Sequence, residues 1–240
     1  MTKRKKENSS QTLGEEIANS ISHGLMVPFG IIMLILISSY IYYIWPKLTE
    51  IPFFNKVFSI FYPFSIIFLY LTSTLYHSLS FTKAKKIFKK FDHIGIYLLI
   101  FGTFTPFLLL SSELNKPLFS EYIITKGLFF FVFQFIITII GIILKWFWIY
   151  KWNKIHICLF LLLGWSSLFI FPYLYKTGND DYNLVFYLLL SGGFFYSSGV
   201  YFYIKDYKKY YHFIWHLFVL SGTICHFIAI MFFLHFISKS

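Results

Sequence analysis

The sequence predicts an all-α protein of the membrane, built as a bundle of seven transmembrane helices. Of its 240 residues, 58% are hydrophobic and only 13% are charged, and a soluble domain of this size cannot hide so much apolar surface from water. The apolar residues also fall into seven runs of roughly 20 residues, the length that crosses a bilayer, joined by short polar connections. Together these observations predict a polytopic membrane protein with no inserted soluble domain.

The seven runs define the predicted spans and the domain division. We place the spans at residues 23–45, 57–81, 93–111, 123–144, 155–174, 184–204 and 212–237. The chain then divides into an N-terminal cytoplasmic tail, residues 1–22, and a transmembrane domain, residues 23–240.

The tail contains a helix signal immediately before the first span. Leu13, Ile17 and Ile21 recur every four residues, opposite Glu16 and Asn19. This pattern predicts a short amphipathic helix that lies on the inner membrane surface. Thr12 and Glu15, at its start, have the spacing of a capping box.

The basic residues predict how the bundle is oriented. Fifteen of the 21 lysines and arginines lie in the tail and in the second, fourth and sixth connections. Because cytoplasmic loops carry the excess of these residues, we expect a cytoplasmic N-terminus and an external C-terminus. The net charge of +11 therefore indicates topology in a cell membrane, and we expect no nucleic-acid partner.

Histidines within the spans indicate a binding site, because ionisable groups are costly there. His212 and His216 lie four residues apart at the cytoplasmic start of the seventh span, so they share a helix face. Ser73 and His77 repeat this spacing near the cytoplasmic end of the second span. Two imidazoles one turn apart can bind one zinc ion, although two interfacial histidines explain the pair nearly as well.

Asp92 and His93 open the third span from the same side, so three spans bring polar residues to one leaflet. Other interpretations stay open: Ser73 bonds a carbonyl of its own helix, Asp92 caps a helix, and His93 is an interfacial ring. His226 lies about 15 Å deeper than His216, and we expect it to hydrogen-bond a buried polar group instead of sharing the ion.

One further group of polar residues precedes the first span. His23, Asn19 and Glu15 or Glu16 share a helix face at its cytoplasmic start. Such a face could also bind a metal, but the asparagine in its middle makes this a weak signal. No role is assigned to these residues.

Taken together, Ser73-x-x-x-His77, Asp92 in FDHIGI and His212-x-x-x-His216 resemble the hemolysin III family. This family is the bacterial branch of the progestin and adipoQ receptor group and is related to the alkaline ceramidases. The EEIANSISHG opening is similar to the bacterial branch in particular. The resemblance implies a zinc ion held by His77, His212 and His216, with Asp92 close by and Ser73 on the helix face of His77.

This site predicts a zinc-dependent hydrolase of a lipid amide or ester, since a site within the leaflet would meet lipids. Zinc with three histidines and one open position gives a water molecule of pKa near 7. Asp92 would act as general base and then general acid, and Ser73 would steady the oxyanion or orient His77. Two alternatives are a cytolytic, membrane-perturbing protein and a lipid sensor with structural zinc. A structural site closes the fourth position, whereas a catalytic site keeps water there.

Overall fold

The computed structural model describes residues 11–119, 124–175 and 181–239, and these residues form an all-α bundle, as the composition predicts. Its α-helices are α1 (Leu13–Gly24), α2 (Met26–Ile44), α3 (Phe53–Phe58), α4 (Phe61–Ser78), α5 (Lys85–Leu110), α6 (Lys126–Trp148), α7 (Asn153–Trp165), α8 (Phe171–Tyr175), α9 (Asp181–Ile204) and α10 (Tyr211–Lys239). Short 3₁₀ turns cover Trp45–Lys47 and Ser166–Phe169.

Six stretches of the described chain are helical, long and apolar enough to cross a membrane. They are Leu13–Lys47, Phe53–Ser78, Lys85–Leu110, Lys126–Trp148, Asn183–Ile204 and Tyr211–Lys239. These stretches overlap all of the predicted spans except the fifth, with ends that differ by a few residues, so the prediction of a polytopic helical membrane protein is confirmed.

The fifth predicted span, residues 155–174, is not one continuous helix. α7 ends at Trp165, and a 3₁₀ turn and the short α8 follow it. Ser166 donates its hydroxyl to the carbonyl of Leu163 at 2.6 Å, which competes with the regular helical ladder. Pro172, in the first turn of α8, lacks the N–H that would continue the ladder of hydrogen bonds from the preceding turn. The apolar run is therefore correct, but its secondary structure is interrupted.

α5 begins earlier than the sequence predicts and lies at the centre of the bundle. Its first residue is Lys85 and its last is Leu110, so lysines assigned to the second connection belong to its first turns. Lys89 and Lys90 lie over the rings of Tyr150 and Trp146, at 4.7 and 5.0 Å from the ring centroids. Long lysine side chains reach water from a helix while their stems cover apolar surface, and hydropathy alone does not reveal this.

α2 shows how one apolar helix serves both the core and the lipid. Met33, Ile37 and Ile41 are buried on one face, and their spacing of four residues places them one above another. Ile32 and Ile35 are half exposed on the other side. The helix is apolar all round because lipid, and not water, covers its outer face.

α1 is amphipathic, as predicted, but its polar face is the buried one. Leu13 is 57% exposed, whereas Asn19 on the opposite face is 1% exposed. α1 packs this polar face against α4 and α10. The predicted capping box is present, with Glu15 Oε2 accepting from the Thr12 N–H at 2.9 Å. The structure thus differs from a helix lying only on the membrane surface, because α1 forms a layer of the bundle.

Candidate metal centre

Three histidines from two helices converge near one end of the bundle. His77 lies in the last turns of α4, and His212 and His216 lie one turn apart at the start of α10. Their ring centroids are 5.2 Å apart for His77 and His212, 5.1 Å for His77 and His216, and 4.7 Å for His212 and His216. The spacing of these histidines in the sequence therefore corresponds to one cluster in space.

The three histidines fit a metal ion such as zinc. One nitrogen of each lies within 4.8 Å of the others, whereas nitrogens on a tetrahedral zinc ion lie about 3.4 Å apart. Small side-chain rotations would close this difference. Within the described chain, Nε2 of His77 and both ring nitrogens of His212 are buried without a hydrogen-bond partner. Buried polar atoms normally have partners, so these atoms are suited to an ion.

Two of the histidines are held on their other side by residues of α1. Glu16 Oε2 lies 2.7 Å from His77 Nδ1, and its second oxygen contacts the Lys85 ammonium. Ser22 Oγ lies 3.1 Å from His216 Nδ1. Metal-binding histidines usually have such a partner on the nitrogen that does not bind the ion.

His23, at the end of α1, is a buried imidazole beside the cluster. Its ring stacks on His216, with centroids 3.6 Å apart and an interplanar angle of 11°. Its other neighbour is Tyr70, at 4.8 Å edge to face. His23 lies outside the group whose nitrogens converge, so it packs against a candidate ligand without being one of the three.

Asp92 lies beside the three histidines but does not belong to the converging group. Its helix begins at Lys85, two turns earlier, and Ala84 occupies the cap position. Asp92 therefore does not cap a helix, and that interpretation is wrong. Its carboxylate interacts electrostatically with His77 and is within reach of the Ser73 hydroxyl.

Ser73 and His93 have distinct surroundings. Ser73 is fully buried on α4, and within the described chain its hydroxyl makes no hydrogen bond of normal geometry, so it does not bond its own helix. His93 Nδ1 donates to the Lys89 carbonyl of its own helix at 2.7 Å. Ser73 thus keeps a free hydroxyl near Asp92, whereas one His93 nitrogen is already occupied by the backbone.

A polar cavity adjoins the histidines and contains Asp92, His212 and His216 in its wall. It holds about 800 Å³ of space not filled by atoms. Asp206, in the loop between α9 and α10, also lines it. Partial burial raises the pKa of the Asp206 carboxyl above its usual range, and the nearby Lys89 opposes this, although Asp206 as a whole residue is exposed.

A second, apolar cavity lies directly against the first. It holds about 960 Å³ of space that is not filled by atoms, part of which is open to the surroundings. Its wall includes Phe104, Leu161, Gly164, Leu190 and Gly193. The residues that line both cavities are Leu69, Ile96, Tyr203, Trp215 and Val219. The polar and the apolar cavity are therefore neighbours that share part of their walls.

His226 behaves as its position predicts. Its Nε2 lies 3.2 Å from the Leu189 carbonyl of α9, and its ring packs directly on Gly192. It lines the apolar cavity and lies outside the converging group.

Two residues near the site receive no role from the sequence alone. For Glu16, the available signal is its position on the polar face of α1. Lys145 follows the fourth predicted span directly, but it lies in α6, is fully buried and interacts electrostatically with Asp92. A lysine at the end of an apolar run gives no sign of whether it faces water or the core.

Comparison with known proteins agrees with the motifs. The sequence model of the family described as Haemolysin-III related matches residues 11–227. Hemolysin-3 of Bacillus cereus is 35% identical over 230 residues, which cover 93% of this chain and 94% of that protein. A hemolysin-3 homolog of Bacillus subtilis (strain 168) is 34% identical over 226 residues, 92% of this chain and 95% of that protein. The similarity includes all the helices that carry the candidate metal centre.

Proposed function

This chain belongs to the Haemolysin-III related family, and we propose that it is a zinc-dependent hydrolase of a lipid amide or ester in the bacterial cell membrane. One observation carries the proposal. Three histidines with available nitrogens converge beside a carboxylate that is not among them, at a polar cavity that shares part of its wall with an apolar one.

His77, His212 and His216 would hold the ion as neutral imidazoles. Three histidines and an open fourth position are the ligand set of a catalytic zinc, whereas structural sites use four protein ligands. When bound, zinc would lower the pKa of a water molecule towards 7 and polarise a carbonyl. The converging group of described residues contains three members, which favours the catalytic set over the structural one.

In this proposal Asp92 moves the protons. Its carboxylate would accept a proton from the attacking water as the water oxygen bonds the acyl carbon. It would then give this proton to the leaving nitrogen or oxygen as the acyl bond breaks. The products are a fatty acid and an amine or alcohol. Lys145, buried and interacting electrostatically with Asp92, would help keep the carboxylate charged before reaction.

Ser73 would assist Asp92 or the substrate carbonyl. Its hydroxyl is buried and makes no other hydrogen bond of normal geometry within the described chain. A donor in this position could stabilise the negative charge that develops on the carbonyl oxygen. Since it is within reach of the Asp92 carboxyl, it could equally orient the base.

A lipid fits the two cavities better than a soluble substrate does. An acyl chain requires an apolar wall, and the second cavity is lined by aliphatic and aromatic side chains of α5, α7, α9 and α10. The scissile group would lie where the cavities meet, next to Trp215 and Val219. The polar headgroup would occupy the cavity that contains Asp206 and Lys89.

The names of the relatives raise a second possibility, a cytolytic protein. A pore requires a continuous polar path, but the cavity that extends into the bundle is apolar. A lipid sensor with structural zinc is the third possibility. It would not require a carboxylate beside the ligands, whereas Asp92 lies there.

The test is a comparison of lipids extracted from cells that produce four forms of the protein: wild type, Asp92→Asn, His212→Ala and the control Glu50→Gln. Glu50 is an exposed carboxylate in the loop after α2. We expect one lipid amide or ester to fall and its fatty acid to rise with the wild type and Glu50→Gln only. Loss of a general base lowers rates about 10²- to 10⁴-fold. If Asp92→Asn reproduces the wild-type profile while His212→Ala does not, zinc is structural and the hydrolase proposal fails.

A further inference from the structure

α1 buries polar side chains where a membrane helix would ordinarily bury apolar ones. We propose that α1 is the supporting layer of the metal centre, that Glu16 is the positioning residue for His77, and that α1 docking and metal binding are coupled. This inference rests on the proposed metal site but not on any hydrolytic activity.

The contact between Glu16 and His77 determines which nitrogen is available. Glu16 Oε2 and His77 Nδ1 are 2.7 Å apart, and both side chains are buried. A carboxylate only accepts hydrogen bonds, so Nδ1 carries the proton, and in the neutral imidazole Nε2 then carries the lone pair. Lys85 pairs with the other carboxylate oxygen and so limits rotation of the group. Glu16 thereby holds His77 in the tautomer that can bind an ion through Nε2.

Ser22 determines the tautomer of His216 by the same logic. Its hydroxyl donates to the Asn19 carbonyl at 2.9 Å, so its single proton is already used. Its oxygen, 3.1 Å from His216 Nδ1, can then only accept. His216 must therefore be protonated at Nδ1, which leaves Nε2 for the metal. His23, stacked at 3.6 Å, keeps the His216 ring from tilting.

Other contacts of α1 fix its position without touching a ligand. Glu15 Oε1 accepts from the backbone N–H of Tyr210 at 2.8 Å, and Ser20 lies 2.6 Å from the Ser78 hydroxyl. The apolar face of α1, including Leu13 and Ile21, points away from the bundle. Docking of α1 therefore depends on polar contacts, and two of these end on histidines of the site.

Coupling follows from these contacts. If docked α1 raises zinc affinity by some factor, bound zinc must stabilise docking by the same factor. Removing the outer partner of a metal-binding histidine typically weakens metal affinity about 10- to 100-fold. We therefore expect bound zinc to raise the equilibrium constant for docking of α1 on the bundle by a factor of this order.

The experiment measures Zn²⁺ affinity of the purified full chain in detergent by competition with a chromophoric chelator. The forms compared are wild type, Glu16→Ala, Glu16→Gln and Glu15→Ala. Glu15 is the matched control, because it is the adjacent acidic residue of α1 and contacts Thr12 and Tyr210. We expect Glu16→Ala to weaken binding about 10- to 100-fold, Glu16→Gln to recover part of the loss, and Glu15→Ala to lose much less.

Hydrogen exchange of the α1 backbone amides gives the reciprocal measurement. Zn²⁺ should slow this exchange in the wild type, and it should do so less in Glu16→Ala. The inference is overturned if Glu16→Ala binds Zn²⁺ like the wild type, if Glu15→Ala loses as much, or if Zn²⁺ leaves α1 exchange unchanged. Zn²⁺ binding by His212→Ala is measured alongside and tests the metal site itself. Loss of binding in this variant supports the site independently of the role of α1. Unchanged binding in that variant refutes the site and this inference together.

Discussion

If the apolar cavity holds the acyl chain of the substrate, its size should limit the length of chain that is accepted. Gly164 is the position that tests this prediction. Gly164 lines this cavity from α7, and a Cβ atom added there would meet no atom within 4 Å. A leucine at this position can therefore occupy the cavity without displacing packed neighbours. The change Gly164→Leu should shorten the space that is available to a bound acyl chain.

The expected size of the decrease in kcat/KM depends on the environment that the acyl chain leaves. An acyl chain that leaves the bilayer for an apolar cavity gains little transfer free energy, because both environments are apolar. The free-energy cost of Gly164→Leu for a bound long chain then arises from steric overlap between the leucine and that chain. Forcing extra methylene groups into a packed space costs about 1–3 kcal/mol, which corresponds to a decrease of about 5- to 150-fold in kcat/KM. Only chains long enough to reach Gly164 should show this decrease.

The assay reconstitutes the purified protein in vesicles that contain an equimolar mixture of short-chain and long-chain acyl lipids. Release of each free fatty acid is measured by mass spectrometry. Cys158→Leu is the matched control. Cys158 lies exposed on the same helix, so this substitution adds a leucine outside the cavity. Gly164→Leu should lower long-chain release and leave short-chain release intact. An equal decrease for both chain lengths, or no decrease, would refute the assignment of this cavity to the acyl chain.

The remaining predictions concern packing and topology. Gly192→Ala should lower the free energy of unfolding by about 1–3 kcal/mol, because its Cβ would lie 2.2 Å from His226 Cδ2. At Gly193 the nearest neighbour of an added Cβ is 4.0 Å away, so Gly193→Ala should instead be neutral or stabilising by up to about 1 kcal/mol. Thermal unfolding in detergent measures both variants, and equal stabilities would contradict this packing. A reporter fused after Ser240 should be extracytoplasmic, and one inserted at residues 83–84 should be cytoplasmic. If both report the same side, the number of crossings is wrong.

The candidate site could be predicted from the sequence because topology places distant motifs at one depth. Ser73 with His77, and His212 with His216, are each one helical turn apart, and the lysine distribution puts both pairs on one side. The helix that begins at Lys85 was not predicted, since charged residues at a membrane surface have the hydropathy of a loop. As a result, the capping alternative for Asp92 could be excluded only from the structure.

The orientation of α1 shows a different limit of sequence analysis. The spacing of Leu13, Ile17 and Ile21 establishes that the helix has two unlike faces. It does not establish which face is buried, because an apolar face can be turned towards lipid as readily as towards a core. Glu16 and Asn19 are buried because each has a polar partner. The partner of Glu16 lies in α4, 61 residues away, and the partner of Asn19 lies in the tail, 8 residues away. No local pattern identifies such partners.

The most direct test of the account is the zinc content of the purified protein. We predict about one zinc ion per chain in the wild type and loss of most of it in His212→Ala, because two histidines remain where three are needed. His226→Ala is the control and should retain its zinc, since His226 bonds the Leu189 carbonyl outside the cluster. Full zinc retention in His212→Ala, or equal loss in His226→Ala, would contradict a metal centre formed by His77, His212 and His216.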